Sequence, residues 1–94
     1  MKLDNQQKKQ LRALAHPLKP VVTVGKQGVT EPVTKEAHRA LNDHELIKIK
    51  FPADEPLAEN AQALADACKA VVISTQGRIA VLYKKHPKNP RIEL

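Results

Sequence analysis

The residues best suited to chemistry lie in Gly25-Lys26-Gln27-Gly28. Glycines bound a basic tip, and they leave no side chain to keep a ligand off the main chain. Before them, Val21-Val22-Thr23-Val24 is β-branched and reads as a half-buried strand. After them, Thr30 is a candidate N-cap, and Pro32 falls in the first helical turn, where no N–H is missed. A loop ahead of a helix N-terminus favours anions, because free N–H groups and the helix dipole both attract negative charge. Lys26 adds a full charge. The chemistry in view is the holding of a phosphate. A tight turn carrying an exposed lysine is the other reading of the same residues.

Bond-making chemistry finds little support elsewhere. The glycine loop is not a Walker motif, since no Gly-Lys-Ser/Thr follows four intervening residues, and there is no His-Glu-x-x-His. His16, His38, His44 and His86 are dispersed, and Ser74, the only serine, falls in an expected strand. Cys68 is the only cysteine, which excludes an internal disulfide and a cysteine-rich metal site. Its place on an apolar stripe marks it as a small core residue. No catalytic residue, metal or cofactor is assigned.

Charge points to a partner. The formal net charge is +6, and the pI is about 9.7. Such a balance suits a polyanion. Aromatic residues make up 2% of the chain, Phe51 and Tyr83 alone, so stacking of bases on rings is not the main mode of contact. No apolar run is long enough to span a membrane, and the N-terminal residues lack the apolar core of a signal peptide. The expectation is one small cytoplasmic domain over residues 1–94, monomeric and without a membrane partner.

The elements that must hold the loop follow from periodicity. Asp4 and Gln7 form a capping-box pattern ahead of a first helix that ends near Ala15, because Pro17 disfavours helix at His16. Leu11, Leu14, Ala15 and Leu18 form its apolar stripe. A second helix is expected over about Glu31 to Asp43, with Val33, Ala37, Ala40 and Leu41 inward and Lys35, His38, Arg39 and Asn42 outward. A strand spans Glu45 to Phe51, with Ile47, Ile49 and Phe51 buried and Leu46, Lys48 and Lys50 on a wet face. Asp54-Glu55-Pro56-Leu57 opens a third helix much as Thr30-Glu31-Pro32-Val33 opens the second. Val71 to Ser74 and Ile79 to Tyr83 form a hairpin about Gln76-Gly77. The basic, proline-broken tail, 84–94, reads as mobile or extended.

The order is helix-strand-helix-strand-helix-strand-strand. Right-handed crossovers place the second and third helices on one face of the sheet. The expected fold class is α/β, a two-layer domain on a four-stranded mixed sheet whose other face is largely open. The sequence does not say where the first helix buries its stripe.

Several segments together resemble a known family. These are Leu14-Ala15-His16-Pro17-Leu18-Lys19-Pro20-Val21-Val22, Val24 to Thr30, Leu46-Ile47-Lys48-Ile49-Lys50, and Gly77 with Val81-Leu82-Tyr83. They resemble the CRM domain (chloroplast RNA splicing and ribosome maturation), in its stand-alone bacterial form, the YhbY family. The resemblance implies a fold similar to the C-terminal domain of translation initiation factor three, with sheet order 1-2-4-3 and strand 4 antiparallel to the rest. It also implies RNA binding through a GxxG loop and association with precursors of the large ribosomal subunit. Gly25, Lys26, Gln27 and Gly28 match that loop, and Lys19 matches the basic residue before the first strand. Lys84 stands where the family often has arginine, which keeps the charge but loses the bidentate fork. Arg12, Lys48 and Lys50 are further candidates for flanking contacts with rRNA in pre-ribosomal particles. The Phe51 to Pro56 segment is not among the matching stretches and is assigned no role. The alternative is a module that contacts ribosomal proteins through the open sheet face without direct RNA recognition.

Overall fold

A computed structural model describes residues 2–94. The elements are α1 (Asn5–Ala15), β1 (Pro20–Thr23), α2 (Glu31–His44), β2 (Leu46–Lys50), α3 (Leu57–Cys68), β3 (Val71–Gln76) and β4 (Ile79–Tyr83). The sheet order is β1-β2-β4-β3. Strands β1 and β2 are parallel, and β4 runs antiparallel to both neighbours. This is the order that the resemblance implies.

Local chemistry sets the helix starts. The Asp4 carboxylate accepts the Gln7 main-chain N–H at 2.7 Å, and the Gln7 side-chain oxygen accepts that of Asp4 at 3.1 Å. Thr30 caps α2 through its hydroxyl oxygen, which takes the Val33 N–H. Helix α3 departs from the expected parallel. It starts at Leu57, with Pro56 as its N-cap and no side-chain cap. The similar tripeptides Thr30-Glu31-Pro32 and Asp54-Glu55-Pro56 therefore sit in different registers, with proline inside one helix and ahead of the other.

The main core lies between the sheet and the α2–α3 layer. Val22, Val24, Ile47, Ile49, Phe51, Ala80 and Leu82 meet Ala37 and Leu41 of α2 and Ala61, Leu64, Ala65 and Cys68 of α3. The Cys68 thiol donates to the Thr34 carbonyl at 3.6 Å, and burial pushes its pKa up. It is a core residue, as its stripe position implied.

The opposite sheet face is open only in part, which corrects the expectation. Helix α1 lies across it. Leu11 and Ala15 close over Leu46, Ile73, Val81 and Tyr83, with Leu3 and Ile92 at the margin. Leu46 is thus buried rather than wet. The rotation of α1 that seats Leu11 and Ala15 leaves Leu14 at 44% exposure, and Leu18, past the end of the helix, is 39% exposed, although both belonged to the expected stripe.

Two further expectations change at Glu45. It is not the first residue of β2. It closes α2 at φ 63°, with its N–H bonded to the Leu41 carbonyl and its own carbonyl taking the Lys84 N–H. Its side chain is fully buried. The carboxylate accepts the main-chain N–H groups of His86, Arg91 and Ile92. The tail, though without helix or strand, is therefore fastened to the domain. Burial alone would raise the Glu45 pKa; the N–H donors from His86, Arg91 and Ile92, with the Arg91 charge, outweigh it and hold the carboxyl below its ordinary value.

Candidate functional site

The Gly25–Gly28 turn is closed by the Gly28 N–H donating to the Gly25 carbonyl at 3.0 Å. Gly28 has φ +78°, a conformation that disfavours side chains. Gly25 is different. Its φ lies outside the left-handed region, and a Cβ there would meet nothing within 4 Å. Neither backbone nor packing requires glycine at position 25. Lys26 and Gln27 are exposed, and their main-chain N–H groups meet no acceptor among the described residues. The first turn of α2 adds fewer donors than a bare helix end: Pro32 has no N–H, and Val33 gives its own to the Thr30 hydroxyl. The loop's own amides, with the Lys26 ammonium, are the main attraction for an anion.

Cross-strand register shows what surrounds this loop. Thr23 pairs with Lys50, Lys50 with Ile79, and Ile79 with Gln76. This row crosses the whole sheet at the end from which the loop springs. Lys50 is exposed in it. Arg78, also exposed, caps the β3–β4 hairpin at the same end, with its carbonyl taking the Phe51 N–H. Deeper along the sheet, Lys48 pairs with Val81 and Val81 with Ser74. Arg12 of α1 and His16, which caps that helix, come over this position, and the Lys48 ammonium donates to the His16 carbonyl at 3.2 Å.

The candidate cations thus divide. Lys26 and Lys50 share one end of the sheet, and Arg12 and Lys48 share the adjoining groove. Lys19 and Lys84 lie at the opposite end. Lys19 lines a shallow apolar groove with Leu18, Val21 and Leu46. The Lys84 ammonium lies 3.1 Å from His38 Nε2.

Sequence reasoning did not single out Lys35 and Arg39 as site residues. They line an open groove between α2 and α3, together with Thr34, His38, Asn42 and Ala67. The available signal was their spacing of four on the outer face of the helix that the loop opens. Among the described residues, the one ion pair is Glu31–Lys35 at 3.2 Å, on the exposed surface. Lys26, Lys50, Arg12, Lys48 and Arg39 therefore carry charge with no acidic partner.

A family model described as the CRS1 / YhbY (CRM) domain matches residues 3–84. The chain belongs to this family. The matched span holds every helix and strand of the CRM domain and stops short of the tail that Glu45 fastens. "Probable RNA-binding protein PA4753" of Pseudomonas aeruginosa is 41% identical over 92 residues, which cover 94% of this CRM domain chain and 86% of the relative. "Probable RNA-binding protein YqeI" of Bacillus subtilis is 37% identical over 94 residues, covering 98% of each chain. Among solved structures, the hypothetical protein SAV1595 of Staphylococcus aureus matches with a TM-score of 0.86 at 32% identity, over 99% of each chain.

Proposed function

We propose that this CRM domain binds RNA, with a backbone phosphate held at the Gly25–Gly28 turn. The observation that carries this reading is Gly25, a glycine that the free fold does not require, beside main-chain N–H groups that have no acceptor. A ligand that approaches the main chain supplies the missing reason. Unpaired cations on the same end of the sheet fit a polyanion, and the names of the Pseudomonas and Bacillus relatives agree. The protein acts as a cytoplasmic monomer on precursors of the large ribosomal subunit and assists their assembly. It is a binding protein rather than an enzyme.

Titration with single-stranded RNA, paired with thermal melting, tests the loop. Lys26→Glu weakens binding severalfold and leaves the melting temperature unchanged, because Lys26 is exposed. Unchanged affinity at moderate salt sinks the role given to Lys26.

A second reading has its own observation. Leu18 and Val21, 39% and 48% exposed, line an apolar groove away from the loop and suit contact with a ribosomal protein. Association with precursor particles that survives RNase treatment favours it.

A further inference from the structure

We infer that the groove between α1 and the sheet is a second RNA contact, which holds one unpaired nucleotide of the same strand that sits on the Gly25–Gly28 turn; this rests on the RNA-binding reading above. The groove measures about 520 Å³ and is lined by Arg12, His16, Lys48, Ser74, Gln76 and Ile79, with Thr75 and Val81 completing it. None of these is acidic. Its size suits a small ligand.

A β-bulge builds its polar wall. Val72 pairs with Leu82, but Ser74 pairs with Val81, so Ile73 is an extra residue in β3. Without the bulge, Ser74 and Gln76 would share the face of Val72 and point at the α2–α3 core. With it, they share the face of Val81 and Ile79, beneath α1. Bulges re-aim side chains next to sites. Here the bulge keeps a hydroxyl and an amide out of the main core and sets them against an apolar floor. The main core is apolar throughout, and Leu11, Ala15, Leu46, Ile73 and Tyr83 seal the rest of the α1 interface.

Each part of a nucleotide has a partner here. The Arg12 guanidinium presents a fork to phosphate, and the Lys48 ammonium keeps protons beyond the one given to His16. Half-buried Ile79 offers apolar surface for a base face, with buried Val81 beneath it at the groove floor. The Ser74 hydroxyl and Gln76 amide each donate and accept, which lets them read a base edge. The row Thr23–Lys50–Ile79–Gln76 joins this groove to the glycine turn. It spans three interstrand spacings, about 14 Å, the reach of a few nucleotides of extended strand, with Lys50 between the two contacts. The turn reads phosphate alone. The groove adds discrimination between bases without an aromatic ring.

Fluorescence anisotropy with labelled oligouridine and the other homopolymers, roughly four and twelve nucleotides long, tests this on the full chain. The longer oligomers bind more tightly than site counting predicts. Arg12→Gln weakens the longer oligomer about tenfold. Arg12 is exposed on α1, so its replacement leaves the fold intact. Ser74→Val narrows the spread of affinities among the homopolymers, and thermal melting verifies that it folds. Lys26→Glu weakens both lengths. Wild-type affinity of Arg12→Gln for the longer oligomers, with Lys26→Glu still defective, overturns the groove and leaves the loop standing. No binding of either length by the wild type overturns both.

Discussion

The carboxylate of Glu45 accepts the main-chain N–H of Ile92 at 3.1 Å across a separation of 47 residues. His86 and Arg91 donate to the same carboxylate. One buried side chain between α2 and β2 therefore fixes the path of the tail and brings Ile92 against the cluster beneath α1.

Replacing Glu45 by glutamine lowers stability by about 2–4 kcal/mol at neutral pH. The amide keeps one oxygen acceptor but turns an NH₂ toward N–H donors that have nowhere else to go. The folded-state pKa is depressed below the ordinary 4.5. The carboxylate's contribution is therefore full above the unfolded-state value and is lost as pH falls through the folded-state value. The gap between wild type and Glu45→Gln narrows below about pH 4.5. Urea denaturation of both proteins at neutral and acid pH measures it, and a constant gap refutes the ionic role.

The two loop glycines separate fold from function. Gly28→Ala forces a side chain into φ +78° and destabilises by about 1 kcal/mol. Gly25→Ala has open space and an ordinary φ, so stability is unchanged or rises by about 0.4–1 kcal/mol. RNA affinity falls in Gly25→Ala all the same. Melting and titration on one preparation distinguish the effects. A Gly25→Ala protein that melts and binds as wild type removes the reason given for that glycine.

Salt dependence reports how many phosphates are held. Lys26, Lys50, Arg12 and Lys48 have no acidic partners. For single strands, log affinity falls with log salt by about 0.7 per neutralised phosphate. About four contacts give a slope near −3, on the order of a hundredfold loss across a fivefold rise in salt. Titrations at several salt concentrations check this. A flat response contradicts phosphate-dominated binding.

In sucrose gradients of a cell lysate, the protein sediments with immature large-subunit particles and little with translating ribosomes. Immunodetection across the fractions measures it. Equal occupancy of small-subunit and large-subunit fractions contradicts the assembly reading.

Particular residues show what a sequence can disclose. The glycine loop, the Thr30 cap and the order of elements were legible because each depends on neighbours within a few positions. The α1 stripe was half legible. Leu11 and Ala15 are buried, but Leu14 has the same helical spacing and faces solvent, because the rotation of α1 is set by the sheet, and Leu18 is exposed because the helix ends before it. Leu46 looked wet by alternation and is buried, since a helix from elsewhere in the chain covers it. Glu45 gave no signal at all. Its burial depends on main-chain groups that arrive from the tail, and no local pattern encodes them. The bulge at Ile73 is likewise silent, since a run such as Val71-Val72-Ile73-Ser74 fits a regular strand equally well.

The placement of α1 has a consequence for the order in which the chain is made. Its 11 residues are made before the other helices of this domain, and a helix that short does not hold itself in water. Leu46 and Ile73 contribute earlier, but the rest of the residues that bury it come last: Val81 and Tyr83 from β4, then Ile92. Gln10 waits still longer, for the Glu93 carbonyl 83 positions away. A growing chain thus carries the Leu11 and Ala15 stripe uncovered through most of its elongation. The α2–α3 core also needs Ala80 and Leu82, so neither layer closes early. Folding of this domain is set by the arrival of its final hairpin and tail.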